Sequence, residues 1–281
     1  MSYQYQFNYS LVTNPNQPII LFLHGFMGNI DEFDQTIKLL FDNFSYLTLD
    51  LPGHGKTQVS DDQNYTMTST AQAIINLLDQ LNIDKCFLIG YSMGGRLALY
   101  LTLYFPHKFI KVILESASPG LLTETQRLVR IKSDAQIARK LSRMTDKKDF
   151  YQFLNNWYQQ PIFGDINNHP QYQSMLKSRL INHPLNLVKS LQLMGTGSQP
   201  CLWELLTENT IPLLLLVGQK DKKFVDINIA MTEKCNFAQL KIINQVAHNI
   251  HLENTSAFVQ HIQNFFSHSH RESENLLRDY N

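Results

Sequence analysis

Six short runs rich in apolar residues are spaced along the chain. Runs of this length are typical of strands that are buried on both faces of a sheet. They lie at residues 19–23, 46–49, 86–89, 112–115, 211–218 and 239–243. Between them, residues 30–41 and 66–81 have apolar positions at helical spacing, and residues 3–10 predict an edge strand. Strands that alternate with helices predict the α/β class, with a mostly parallel, doubly wound sheet.

The alternation stops between residues 120 and 200. This segment lacks a clear strand pattern and predicts several helices, as expected for a helical cap inserted over the sheet. We therefore predict a core in two parts, residues 1–119 and 201–267, with the cap at residues 120–200. Residues 268–281 are polar and charged, and they predict a mobile tail.

The turn after the third of these runs carries the first candidate catalytic residue. Gly90-Tyr91-Ser92-Met93-Gly94 fits the G-x-S-x-G pattern of a nucleophile elbow. Glycines two positions before and after the serine let a strand and a helix pass closely. We expect the Ser92 hydroxyl to point out above the sheet, at the N-terminus of the helix that follows.

An acid and a histidine follow Ser92 in the order required for a Ser-His-Asp triad in this type of sheet. Asp221 lies just past the buried run at residues 211–218, and it is preferred to Asp226, which falls within the next predicted helix. His248 is the first histidine after the last predicted strand, and it is preferred to His251.

A glycine-containing loop follows the first buried run and predicts an oxyanion hole. In His24-Gly25-Phe26-Met27-Gly28 the backbone N–H of Phe26 is one expected donor, and that of Met93, after the serine, is the other. His24 is interpreted as a structural histidine of this loop. His54 precedes the serine in the chain and is not expected to take part in chemistry.

Composition excludes several classes of function. The chain has 24 Lys and Arg against 24 Asp and Glu, so no overall charge favours nucleic acid. No run of about 18 apolar residues predicts a membrane span, and the N-terminus lacks a signal-peptide pattern. Three widely spaced cysteines predict reduced thiols. The sequence therefore predicts a cytoplasmic protein without membrane insertion.

The predicted cap is basic although the whole chain is neutral. Residues 121–200 contain eleven Lys and Arg against five Asp and Glu, including five of the eight arginines. Most of these charges are expected on a solvated surface. Because arginine binds carboxylates through a bidentate fork, a basic cap above Ser92 nevertheless favours an anionic substrate.

Together the motifs resemble the α/β-hydrolase superfamily over essentially the whole chain. More specifically, the chain resembles the 2-succinyl-6-hydroxy-2,4-cyclohexadiene-1-carboxylate synthases of menaquinone biosynthesis. The stretches that carry this closer resemblance are residues 90–96, 115–121, 156–163 and 195–197. The resemblance implies a lyase that eliminates pyruvate from a cyclohexene tricarboxylate without metal or organic cofactor.

The resemblance also implies residues that contact substrate. Arg96, Arg130 and Arg179 match arginines that hold the anion, and Lys132 remains a neighbouring alternative. Tyr91, Trp157 and Tyr158 match residues that line the pocket. In such a reaction Ser92 would act as a base rather than as an acylated nucleophile.

Two other functions remain open at this point. The first is a serine hydrolase of small carboxylated esters or C–C bonds with the same triad, and the second is a non-catalytic binding protein with this fold. One departure from the superfamily pattern weakens the assignment of His248, because Ala247 stands where glycine is common. The oligomeric state is not predicted.

Overall fold

The computed structural model describes the backbone of residues 4–278 and the side chains of residues 4–267. The strands of this part of the chain are β1 (Tyr5–Gln6), β2 (Tyr9–Val12), β3 (Ile19–Leu23), β4 (Ser45–Leu49), β5 (Gln58–Val59), β6 (Cys86–Tyr91), β7 (Phe109–Glu115), β8 (Leu213–Gly218) and β9 (Ala238–Ile243). Seven of them form one sheet in the order β2–β4–β3–β6–β7–β8–β9, in which only β2 is antiparallel to its neighbour. The predicted mostly parallel α/β sheet is therefore confirmed.

Helices cover both faces of this sheet. Their bounds are α1 (Asp34–Leu40), α2 (Met67–Gln80), α3 (Met93–Tyr104), α4 (Glu124–Leu141), α5 (Lys147–Trp157), α6 (Tyr172–Arg179), α7 (Pro184–Met194), α8 (Lys222–Lys234), α9 (Ile250–Glu253) and α10 (Thr255–Arg278). Alternate side chains of β3 point to opposite faces, as the pleat requires. Leu21 and Leu23 pack with residues of α2 and α3, whereas Ile20 and Phe22 pack with residues of α1 and α10.

Several predicted boundaries differ from the structure. The helix predicted over residues 30–41 begins only at Asp34, because the Asn29 side chain accepts a hydrogen bond from Asp31 N and Ile30 N donates to Asp50. The single strand predicted over residues 3–10 is split, since β1 pairs with β5 outside the main sheet and β2 pairs with β4.

At the C-terminus, α10 extends past the predicted start of the tail at residue 268. The side chains of residues 268–278 and all of residues 279–281 lie outside the described residues, so the mobility of the tail stays a prediction.

The segment between β7 and β8 forms α4 to α7, with no strand among its residues. It has an apolar cluster of its own that includes Phe150, Leu154 and Leu176, and α4 packs against α7. Thr123 starts α4 with a capping box that also uses Gln126. The domain boundaries at residues 119 and 200 stay predictions.

Two expectations from composition can be compared with the described residues. Cys86, Cys201 and Cys235 are free thiols. None of the helices in the described range combines the length and the apolar character needed to span a bilayer.

A buried network of four charged side chains joins α6 to the loops at the end of the sheet. The guanidinium of Arg179 donates two hydrogen bonds to the carboxylate of Glu32, at 2.6 and 2.7 Å. His251 lies between two carboxylates, with Nε2 3.2 Å from Glu32 and Nδ1 2.8 Å from Glu115. All four side chains are at most 3% exposed, so each charge depends on its partners for compensation.

The partners in this network shift each other's pKa. Burial alone would lower the pKa of His251, but the carboxylates of Glu115 and Glu32 raise it to about 9. Burial would likewise raise the pKa of Glu32, and Arg179 and His251 instead hold it well below its usual range. At neutral pH Arg179 and His251 are therefore cationic and Glu32 is anionic.

Replacement of Arg179 by methionine removes one partner and leaves the Glu32 carboxylate buried without its strongest counter-charge. We expect Arg179→Met to lower the free energy of unfolding by about 3–5 kcal/mol. Glu32→Gln in the same chain should recover part of this loss, because no uncompensated charge then remains at that position. Urea unfolding measures both variants, with Lys147→Met on the exposed face of α5 as control. If the losses in free energy of unfolding caused by Arg179→Met and Glu32→Gln simply added in the double variant, the two side chains would not be coupled.

The raised pKa of His251 also predicts how stability depends on pH. The contribution of His251 is complete below about pH 6.5, where the unfolded histidine is also protonated, and it is lost as the pH rises through about 9. The free energy of unfolding should fall over this range, by up to about 3 kcal/mol from this group. His251→Gln should flatten the fall, whereas His107→Gln, at an exposed position, should not. Equal slopes in both variants would exclude His251 as the source.

Candidate active site

Ser92 occupies the turn between β6 and α3 in a strained backbone conformation. Its φ is +49° and its ψ is −106°, values that a non-glycine residue rarely adopts. The turn is crowded, because a Cβ at Gly94 would lie 2.1 Å from the Leu23 carbonyl oxygen. Ser92 N donates to Glu115 O at 2.8 Å, which fixes the turn against β7. The sequence-predicted elbow is thus present in its expected place.

Ser92, His248 and Asp221 are joined in series by hydrogen bonds. His248 Nε2 lies 2.9 Å from Ser92 Oγ, and His248 Nδ1 lies 2.5 Å from Asp221 Oδ2. Because a carboxylate only accepts, Nδ1 carries the hydrogen and Nε2 is free to accept from the serine. Asp221 is buried at the start of α8, whereas the alternative Asp226 is exposed on that helix.

Several groups confine the His248 ring. Phe224 and Phe163 pack against it with ring centroids 4.7 and 5.6 Å away, and Tyr91 lies at 5.5 Å. His248 N donates to Ile162 O at 3.1 Å, so a cap residue also holds the backbone here. Ala247 is not among the residues with positive φ in the described chain, so alanine fits its backbone without strain.

The loop at residues 24–28 is held by two neutral histidines. His24 Nε2 accepts from Leu51 N at 2.9 Å, and His54 Nε2 accepts from Met27 N at 3.1 Å. Both Nδ1 atoms contact backbone carbonyls, of Gly25 and Pro52. Burial lowers the pKa of each ring. Both rings therefore use their nitrogen atoms in contacts with the backbone, and neither is placed for proton transfer to a substrate.

The cap also fixes this loop. Arg179 and Asn182 donate to Met27 O, at 3.3 and 2.7 Å. Within the described part of the chain, the N–H groups of Phe26 and Met93 donate to no protein acceptor. This is the state that the predicted oxyanion hole requires, and the oxyanion hole itself stays a prediction.

A cavity of about 230 Å³ opens onto Ser92 between the sheet and the cap. Most of the side chains predicted to contact substrate line it, together with the serine and the histidine. These lining residues are Phe26, Tyr91, Ser92, Met93, Arg96, Arg130, Trp157, Tyr158 and His248. Asp221 lies behind His248 and does not reach the cavity.

Two arginines contribute positive charge to the cavity, in addition to Lys223. Arg96, one turn after Ser92 on α3, donates to Met194 O at 3.1 Å and to Gln199 Oε1 at 2.5 Å. Burial and the nearby charge of Arg130 lower the pKa of Arg96 to about 9. Arg130 pairs with Asp134 at 2.8 Å through Nε. No carboxylate pairs directly with Arg96 among the described residues, so it is available to an anion.

Arg179 does not line this cavity, in contrast to the expectation that it grips the substrate. Both its Nη atoms are taken by Glu32, and its guanidinium carbon lies 5.6 Å from the centre of the Tyr158 ring, beneath the cavity wall. Lys132 is exposed on α4 and also lies outside the lining. The other side chains expected to contact substrate all line the cavity.

Sequence reasoning missed some residues of the site. Lys223 and Phe224 line the cavity two and three positions after Asp221, and only their closeness to that acid could have indicated them. Ser116 has φ +49° and a buried hydroxyl with no partner in the described chain, and it too lines the cavity. In the described residues no group of three acidic, histidine or cysteine side chains is suited to a metal ion.

Comparison with known proteins agrees with this geometry. Residues 18–255 match the α/β-hydrolase fold family. The chain is 32% identical to 2-succinyl-6-hydroxy-2,4-cyclohexadiene-1-carboxylate synthase of Citrobacter koseri over 87% of this chain and 92% of that protein. It is 30% identical to the protein PHYLLO, chloroplastic, of Arabidopsis thaliana over 92% of this chain, but it spans only 16% of that longer protein.

A solved structure gives the same result. The structure of MenH from S. aureus is similar with a TM-score of 0.85 and 32% identity, over 94% of this chain and 98% of that one. The chain therefore belongs to the α/β-hydrolase fold family and, within it, to the family of 2-succinyl-6-hydroxy-2,4-cyclohexadiene-1-carboxylate synthases.

Proposed function

We propose that this protein is a lyase of menaquinone biosynthesis. It would eliminate pyruvate from 2-succinyl-5-enolpyruvyl-6-hydroxy-3-cyclohexene-1-carboxylate to give 2-succinyl-6-hydroxy-2,4-cyclohexadiene-1-carboxylate. The observation that carries the proposal is the Ser92–His248–Asp221 series, which faces a cavity that also contains Arg96 and Arg130. The names of the relatives support the same reaction.

The hydrogen-bonded series supplies the base. His248 Nε2 accepts the hydroxyl proton of Ser92, and Asp221 stabilises the imidazolium that forms. The activated Ser92 oxygen removes the proton next to the succinyl ketone, and the enolate oxygen is stabilised by the N–H groups of Phe26 and Met93. As the enolate collapses, the ring C–O bond breaks. The imidazolium returns a proton to the departing enolpyruvate, which leaves as pyruvate.

The charges of the cavity fit this substrate. Three carboxylates need cationic or hydrogen-bonding partners when they bind in a cavity. Arg96 and Arg130 supply two guanidinium groups, and Arg96 is buried without a direct carboxylate partner in the described structure. Tyr91, Trp157 and Tyr158 would form the walls around the ring, with Arg179 supporting Tyr158 from below.

A serine hydrolase is the second candidate, because the same hydrogen bonds would activate Ser92 as a nucleophile. The two functions differ in the covalent state of Ser92. A hydrolase forms an acyl-enzyme with a nitrophenyl ester, which mass spectrometry detects on the Ser92 peptide. The lyase releases pyruvate with no acylated serine.

We expect Ser92→Ala to lower kcat for pyruvate release by about 10²–10⁴-fold, because the base is lost. The measurement follows pyruvate with a coupled dehydrogenase and the conjugated diene by its absorbance. Ser133→Ala, on the exposed face of α4, should keep the wild-type rate. If the wild-type protein released no pyruvate above the spontaneous background, the lyase proposal would be wrong.

Arg96→Met and Arg130→Met should each weaken substrate binding by about 1–3 kcal/mol, through the loss of a charged hydrogen bond. This corresponds to a rise in KM of roughly 5- to 150-fold with a smaller change in kcat. Arg139→Met, exposed on the same helix as Arg130, is the matched control. Unchanged steady-state constants in both variants would remove the argument for an anionic substrate.

A further inference from the structure

One carboxylate binds the backbone on both sides of His248. Glu253, the last residue of α9, accepts from Ala247 N at 3.0 and 3.1 Å and from Asn249 N at 3.3 Å. The N–H between them, that of His248, donates to Ile162 O of the cap. All three consecutive N–H groups of this loop therefore donate to acceptors outside it, two to the Glu253 side chain and one to the cap.

We propose that Glu253 is a positioning residue for the reaction: it holds the loop that carries His248, and thereby sets the distance between His248 and Ser92. This role of Glu253 depends on one part of the proposed function, namely that His248 acts as the base toward Ser92. Glu253 is not part of the cavity lining and touches neither reacting group. Its effect on chemistry would therefore pass entirely through the loop.

The charge of Glu253 matters for this role. An ionised carboxylate offers two acceptor oxygens, and its hydrogen bonds to N–H groups are stronger than those between neutral groups. Protonation turns one oxygen into a donor that faces other donors. The loop is then held by one acceptor oxygen instead of two, and the ring of His248 is less well fixed.

The surroundings bring this change close to neutral pH. The pKa of Glu253 is raised to about 7, chiefly by burial and to a smaller extent by the Glu115 carboxylate at the end of β7, although the hydrogen bonds from the N–H groups of Ala247 and Asn249 lower it. The Lys220 ammonium, which follows β8 and pairs with Asp165 of the cap, also lowers it. Glu253 should therefore be partly protonated at pH 7, and the loop should tighten as the pH rises.

The reaction of Ser92 with a fluorophosphonate tests this without the natural substrate. Ser92 Oγ forms a bond to phosphorus, fluoride leaves, and His248 takes the serine proton. We expect Glu253→Gln to react at least about tenfold more slowly at pH 8 than the wild type. Glu233→Gln, at an exposed glutamate of α8, should react like the wild type, and Ser92→Ala gives the blank.

The pH profile separates positioning from a general effect on folding. The rate constant of the wild type divided by that of Glu253→Gln should be about ten or more at pH 8 and should fall toward one as the pH is lowered through about 7, because Glu253 then loses its charge in the wild type. All other titrating groups are common to both proteins and cancel in this ratio. A folded Glu253→Gln protein whose rate constant is within twofold of the wild type at pH 8, or whose ratio to the wild type does not change with pH, would overturn the proposal.

A second measurement, by NMR on a protein that keeps Glu253, covers the case in which Glu253→Gln does not fold. The amide resonances of Ala247 and Asn249 should shift with a midpoint near pH 7, and this transition should persist in His248→Gln. Resonances that do not titrate would overturn the proposal. If Glu253→Gln reacts more slowly with the fluorophosphonate as expected, but the wild type releases no pyruvate, the lyase function is rejected and the role of Glu253 stands.

Discussion

The left-handed backbone of Ser92 is the constraint on which the rest of the site depends. A non-glycine residue in this conformation costs of order 1–3 kcal/mol and persists only where its surroundings enforce it. Here Ser92 N is held by Glu115 O, and α3 passes so close to β3 that no side chain fits at Gly94. The serine hydroxyl is consequently fixed at the sheet edge where the loops after β3, β8 and β9 meet.

Two groups of charges beneath and within the cavity have different tasks. Glu32, Arg179, His251 and Glu115 compensate one another in a region that is almost fully buried, and they tie α6 to the ends of β7 and of the loop after β3. Among the described side chains no carboxylate pairs directly with Arg96, and burial and the charge of Arg130 lower its pKa. The basic residues of the cap divide in the same way into a buried structural position (Arg179), a position on the cavity (Arg130) and exposed positions, which charge counting alone does not separate.

The parts of the site that the sequence predicts are those set by chain order. Ser92, Asp221 and His248 each follow a strand whose apolar pattern is clear, and parallel strands bring their carboxyl ends to one edge. Arg179 could not be placed in this way, because its position depends on Glu32, 147 residues away in a loop without a regular pattern. The late start of α1 has a similar cause, since the side chains of Asn29 and Asp50 bind the backbone that the helical pattern covers.

The fold alone does not determine which reaction this serine performs, because one sheet and one triad serve many chemistries. In this chain the cap completes the site. Arg130 comes from α4, the wall includes Trp157 and Tyr158, and Ile162 holds the backbone of His248. The same segment therefore supplies charge to the cavity and an acceptor to the histidine loop. A change in the position of the cap would alter substrate binding and the geometry of His248 together, so specificity and catalysis are not independent properties of this site.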